Sequence, residues 1–140
     1  MPRRLGQHFL KYPAIAARMA ALAEVSSDET VLEIGPGRGA LTEFLAKRAK
    51  HVIAIEKDKA LAKGLEGRWD NVQIVAADAA RMDWPHFDKL VANLPYEISS
   101  VVLEKLFQSR GWKVTALMLQ KEFAQRMVAK PGSKDYSRLT

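Results

Sequence analysis

Hydrophobic positions along this chain fall into two alternating spacings. From 12 to about 24, Ile15, Met19, Leu22 and Ala23 recur at the period of a helix with one buried face. "SSDE" breaks that period, and "TVLEIG" then reads as a short buried strand. From about 39 to 49, Leu41, Phe44 and Leu45 return to helical spacing, and "HVIAIE" at 51 to 56 is a second strand. Leu61 and Leu65 mark a short helix, and "VQIVAAD" at 72 to 78 a third strand. "MDWPHFD" is a loop because Pro85 sits in its middle. "KLVAN" at 89 to 93 is a fourth strand, and Ile98, Val101, Val102 and Leu106 predict a helix that stops near Gly111. "VTALMLQ" at 114 to 120 is a fifth strand, and Phe123, Met127 and Val128 mark a last helix ended by Pro131-Gly132. Strands that alternate with helices build βαβ units, and nearly continuous apolar strands belong to a parallel sheet covered on both faces. The expectation is an α/β domain with about five mostly parallel strands.

In such open sheets ligands bind beyond the carboxyl ends of the strands, near the point where strand order reverses. The residues that close the strands are therefore the candidates: Glu33-Ile34-Gly35, Glu56, Asp78 and Asn93. In "EIGPGRGALT" at 33 to 42, Gly35, Gly37 and Gly39 permit a tight turn and a close backbone approach, ahead of a helix N-terminus with free N–H groups. The third glycine comes one residue too early for the dinucleotide fingerprint, and no Gly-Lys-Ser/Thr follows, so it is not a P-loop either. Glu56 can accept the two hydroxyls of a ribose; its plainer alternative is an exposed acid paired with Lys57 or Lys59. Asp78 can accept from an exocyclic amine such as that of adenine; its plainer alternative is a turn or helix cap. Together they describe an acid-lined nucleoside pocket that suits a sulfonium cofactor better than a dinucleotide. "NLPY" at 93 to 96 adds two acceptors, the Asn93 side-chain carbonyl and the Leu94 backbone carbonyl. Pro95 holds the backbone and Tyr96 offers a flat platform for a base. Two acceptors on one amino group orient its lone pair and stabilise positive charge as that nitrogen is alkylated.

Composition narrows the partners. The 140 residues suffice for one domain, taken as 1–140, and are 48% hydrophobic and 27% charged. Cysteine is absent, and His8, His51 and His86 lack ligand spacing, so no metal site is expected. No apolar run approaches a membrane span or a signal-peptide core, which makes a cytoplasmic soluble protein the expectation. The net charge of +6 is gathered toward the ends, with Arg3, Arg4, Lys11 and Arg18 before the first acid, and Lys113 through Arg138 at the other end. Such ends attract a polyanion, RNA or DNA.

With "GQHFL", "EIGPGRGALT", Glu56, Asp78, "NLPY" and the segment from 120 to 140 in this order, the sequence resembles the KsgA-type ribosomal RNA small-subunit adenine N6-dimethyltransferases, with archaeal-like phrasing. The resemblance covers essentially the whole chain. It implies a Rossmann-like class I S-adenosylmethionine-dependent methyltransferase fold. It places the cofactor's adenosine between Glu56 and Asp78 and its methionine part over Gly35, with His8 and Leu10 closing one side, and counts Gly37 and Asn93 among the cofactor-binding residues. It assigns Asn93, Leu94, Pro95 and Tyr96 to the target adenosine, whose N6 is methylated twice at two adjacent positions near the 3′ end of small-subunit rRNA. The small ribosomal subunit is then the partner.

The family pattern continues past "SRLT" with the last strands of the sheet and a helical domain. Against it the 140 residues are a truncated N-terminal catalytic part, and Val101 stands where many relatives have proline. A sheet without its last strands exposes an edge through which the chain can self-associate. Two other readings compete: a non-catalytic module that binds S-adenosylmethionine or RNA in ribosome assembly (or an inactive fragment), and a nicotinamide-binding Rossmann domain. Intact "NLPY" disfavours the first, and the missing fingerprint the second.

Overall fold

A computed structural model describes residues 13–94, 96–118, 125 and 127–132. Among these residues, five strands form one wholly parallel sheet: β1 (Thr30–Ile34), β2 (His51–Glu56), β3 (Val72–Ala76), β4 (Lys89–Asn93) and β5 (Val114–Met118), in the spatial order β3-β2-β1-β4-β5. The chain steps outward from β1 to β3, then crosses back to lay β4 on the other side of β1. Strand order thus reverses between β1 and β4.

The helices delimited among the described residues are α1 (Pro13–Leu22), α2 (Ala40–Arg48), α3 (Lys59–Leu65) and α4 (Ser99–Gln108), and a 3-10 turn spans Tyr96–Ile98. The side chains of each strand divide between two cores, as the two-residue period of a strand requires. Val31, Val52 and Val91 pack with Ala16, Met19 and Ala20 of α1 and Leu41 and Leu45 of α2. Leu32, Ile34, Ile53, Ile55, Leu90 and Ala92 pack on the opposite face with Val102, Leu103 and Leu106 of α4 and with Phe87. α3 leans on β2 and β3, and Asp58 caps it by accepting from the Ala60 and Leu61 amides at 2.9 and 3.1 Å. The expected α/β architecture, covered on both faces, is the one found.

Two boundaries differ from the sequence reading. β3 ends at Ala76, so Asp78 lies in the turn beyond the strand. The last helix falls largely outside the described residues, although Gln125 and Met127 are helical. Among the described residues no helix is long and apolar enough to cross a membrane.

One glycine has a steric requirement of its own. Gly39, at the N-cap of α2, has φ +91°, and a Cβ there would stand 2.8 Å from Trp69 Cη2 and 3.0 Å from Leu65 Cδ2. Both the left-handed backbone and the ring over it demand a residue without a side chain.

Candidate functional site

The register sets the site's frame. Ile34 of β1 pairs with Ile55 of β2 and Ala92 of β4. One residue further, Gly35 is level with Glu56 on one side and Asn93 on the other, and its amide donates to the Ile55 carbonyl at 2.8 Å. Counting by twos from Val31, Val52 and Val91 places Glu33, Gly35, Glu56 and Asn93 on one face of the sheet, toward α2. Gly35 has φ +71°, and a Cβ built on it meets nothing within 4 Å. A bare slot therefore lies between an acid and an amide that are two strand spacings apart, about 10 Å. It stands where the strand order reverses.

Glu56 is buried, with its residue 6% exposed. One carboxylate oxygen accepts the Gly37 amide at 3.0 Å and the other the Asp58 amide at 2.9 Å. The side chain thus holds the glycine turn on one side and the start of the α3 cap on the other. A carboxylate has about four acceptor positions, so two bonds leave capacity for ligand hydroxyls. The alternative of an exposed acid paired with Lys57 or Lys59 does not hold. Lys57 points instead to Asp78, at 3.8 Å.

Asp78 does serve its turn: Oδ1 accepts the Ala80 amide at 3.0 Å, and its carbonyl accepts the Arg81 amide at 3.0 Å. Oδ2 faces two well-exposed cations, Lys57 at 3.8 Å and Arg81 at 3.7 Å. Separations that long from a half-buried carboxylate to well-exposed cations are worth little, so this oxygen can change partners at small cost.

In "NLPY", Asn93 closes β4 half-buried, while the Leu94 side chain is buried in the α4-side core at 1% exposure. Leu94 is anchored by its side chain, and what it can offer a ligand is backbone. Tyr96 opens the 3-10 turn that leads into α4. His8, Leu10 and Pro95 lie outside the described residues.

Below Gly35, one pleat step along β1, sits Glu33, buried to 1% exposure with its Oε1 accepting the Thr42 hydroxyl of α2 at 2.5 Å. Burial raises this carboxyl; the Thr42 hydrogen bond opposes that, Glu56 adds to it, and the balance is about 8. Sequence reasoning placed Glu33 at a strand end without giving it a task. The available signal was an acid inside an otherwise apolar strand.

The family model described as Ribosomal RNA adenine dimethylase matches residues 2–140. A relative from Thermococcus kodakarensis, described as a probable ribosomal RNA small subunit methyltransferase A, is 54% identical over 140 residues, covering 99% of this chain and 50% of that protein. Among solved structures, a dimethyladenosine transferase from Plasmodium falciparum superposes with a TM-score of 0.89 at 41% identity, over 95% of this chain and 50% of that one. The 23S rRNA methyltransferase ErmE follows at TM-score 0.79 and 35% identity, over 85% of this chain and 50% of that one. The chain spans about half the length of the curated relatives it matches.

Proposed function

Because the chain belongs to the ribosomal RNA adenine dimethylase family, we propose that it binds S-adenosylmethionine and serves the dimethylation of N6 on two adjacent adenosines near the 3′ end of small-subunit rRNA. Residues 1–140 form the single cofactor- and target-binding domain of that activity, and the site of action is the cytoplasm. One observation carries the reading: Glu56, a side-chain-free Gly35 and Asn93 stand in one row at the strand-order reversal.

These residues fit the cofactor. A Cβ on Gly35 would meet nothing within 4 Å, so the backbone there is open to close approach by the methionine part. Glu56 has acceptor capacity for the ribose hydroxyls, and Asp78 can exchange its long cation contacts for the adenine amine. His8 and Leu10 belong to the same reading as the closing side of the pocket. When bound, S-adenosylmethionine supplies an electrophilic methyl on a positively charged sulfur. The chain's residues do the rest by position. Asn93 Oδ1 and the Leu94 carbonyl accept the two N6 hydrogens and turn the lone pair toward that methyl; Pro95 fixes the backbone, and Tyr96 supports the base. No strong base is required, since an alkylated N6 gives its proton readily to water. Alignment and charge stabilisation carry the step.

The test is a calorimetric titration with S-adenosylmethionine beside Glu56→Ala. The parent is expected to bind saturably, and Glu56→Ala about tenfold to a hundredfold more weakly, the usual worth of a lost charged acceptor. Circular dichroism confirms that both chains are folded. Equal affinities would sink the ribose assignment, and no binding by a folded parent would sink the cofactor reading.

The basic ends of the chain suit rRNA as the partner. Self-association belongs to the same proposal: β5 is an outer strand of the sheet, and outer strands offer unpaired backbone groups. Sedimentation velocity decides it, because a single 15.6 kDa species at all concentrations excludes self-association.

A further inference from the structure

One buried ionisable group in the site has no part in the chemistry above. Glu33 lies on the face of the sheet that carries Gly35, Glu56 and Asn93, two residues or about 6.6 Å along the strand below the open slot. It lies beneath the level of that slot, closed over to 1% exposure. Its charged surroundings are one-sided. From β2 it faces Glu56, another acid. From α2 it receives only the neutral Thr42 hydroxyl. β4 presents Val91 and the amide of Asn93 to this face, and α1 presents Ala16, Met19 and Ala20, while α1's one charged residue, Arg18, is exposed. Among the described residues the buried cation on this face is Lys89, two residues before Val91 on β4, and its ammonium is taken up away from the two acids by Glu29 at 3.0 Å and the Glu24 carbonyl at 2.6 Å. Among the described residues a second buried negative charge there has no counter-ion of its own, and a bound cation would supply one.

We propose that Glu33 is the proton-exchanging counter-ion to the cofactor's positive charge: it keeps its proton while no cation stands over Gly35, and releases it to solvent when a sulfonium occupies that slot. This rests on the reading of the slot as an S-adenosylmethionine site. On binding, only the carboxyl O–H bond of Glu33 breaks and the proton goes to water; no electrons change hands. After methyl transfer the cofactor's sulfur is an uncharged thioether, so Glu33 takes a proton back. The chain thereby separates substrate from product by charge, holding S-adenosylmethionine above an ionised Glu33 and S-adenosylhomocysteine above a neutral one.

The experiment is calorimetric titration of the full 140-residue chain with each of the two ligands, in buffers of different ionisation enthalpy, from pH 6 to 8. S-adenosylmethionine is expected to release about one proton near pH 7, and its affinity to rise up to about tenfold per pH unit below the carboxyl's pKa. S-adenosylhomocysteine should release close to none through the protein. Glu33→Gln keeps an oxygen to accept from Thr42 but cannot titrate, so it should bind S-adenosylmethionine without this release and with a flatter pH profile. Each ligand's own amino group titrates alike with both chains and cancels in that difference.

A purely structural Glu33 predicts equal proton release and equal pH slopes in the parent and Glu33→Gln, which would overturn the inference while leaving the cofactor reading intact. Failure of the parent to bind S-adenosylmethionine at all would overturn both. Should Glu33→Gln not fold, the parent alone decides: equal release with the two ligands, after correction for their own amino groups, would defeat the inference.

Discussion

An Asn93→Ala chain is expected to bind S-adenosylmethionine nearly as the parent does, and to lose methyl transfer to unmodified small subunits by about 10²–10³-fold. The size follows from what Asn93 supplies. It closes β4 on the same face as Gly35 and Glu56, at the edge of the slot. Its carbonyl is one of two acceptors proposed for the target amine, and the other, the backbone of Leu94, stays anchored because the Leu94 side chain is buried in the core. Removing one acceptor leaves the amine free to rotate about the remaining bond. It also removes a dipole aimed at the positive charge that develops on N6. Such a dipole is worth most in the transition state and little in the ground state, so the rate should fall far more than cofactor affinity. Single-turnover transfer from labelled cofactor, beside a calorimetric titration of the same variant, makes the check. Retained transfer would mean that "NLPY" is a turn and that the target amine is held elsewhere.

The second large effect lies at the opposite end of the sheet. Glu29→Ala is expected to destabilise the fold by about 3–5 kcal/mol, the cost of stranding a buried charge, against a total of about 5–15 kcal/mol for a typical domain. The charge stranded is Lys89, whose side chain is 8% exposed and lies 3.0 Å from Glu29 Oε1. The Glu24 carbonyl, which accepts from Lys89 at 2.6 Å, would be its remaining partner. Urea unfolding at neutral pH measures the loss. Glu29→Leu combined with Lys89→Met should recover much of it, because an apolar pair leaves no charge stranded.

Acid should act on the same pair. Burial alone would raise the Glu29 carboxyl, but the Ser26 amide, Lys89, the Ser26 hydroxyl and Lys113 together hold it at about 2, below its ordinary 4.5. A carboxyl depressed by folding stabilises fully above its unfolded value, and that contribution fades as pH falls from about 4.5 toward 2. The parent should therefore lose stability over this window more steeply than the Leu/Met pair. Parallel pH profiles would show that Glu29 is not the group responsible.

Much of this was legible in the chain itself. "HVIAIE" and "KLVAN" coincide with β2 and β4 because the middle of a strand buried on both faces is a continuous apolar run, here Val52–Ile55 and Leu90–Ala92, and that pattern survives without knowledge of its neighbours. The glycine turn was readable because backbone at φ +71° and +91° strongly favours glycine. Asp78 was assigned to a strand end and stands two residues past it. "VQIVAAD" carries no punctuation between its last ladder residue and its turn, and hydrogen bonding alone decides where pairing stops.

The sequence by itself determined the alternation of strands and helices, the polar residues that follow the strands, and the family motifs in order, because each depends on side chains near one another in the chain. Tertiary structure decided what register and burial control. It put Gly35 level with Glu56 and Asn93, residues separated by 37 positions in the chain, turned Glu33 under the same slot, and set Glu29 against Lys89 across 60. No local pattern encodes such pairings. They arise when parallel strands lock at one register, and a slip of one residue would turn each of these side chains to the other face of the sheet.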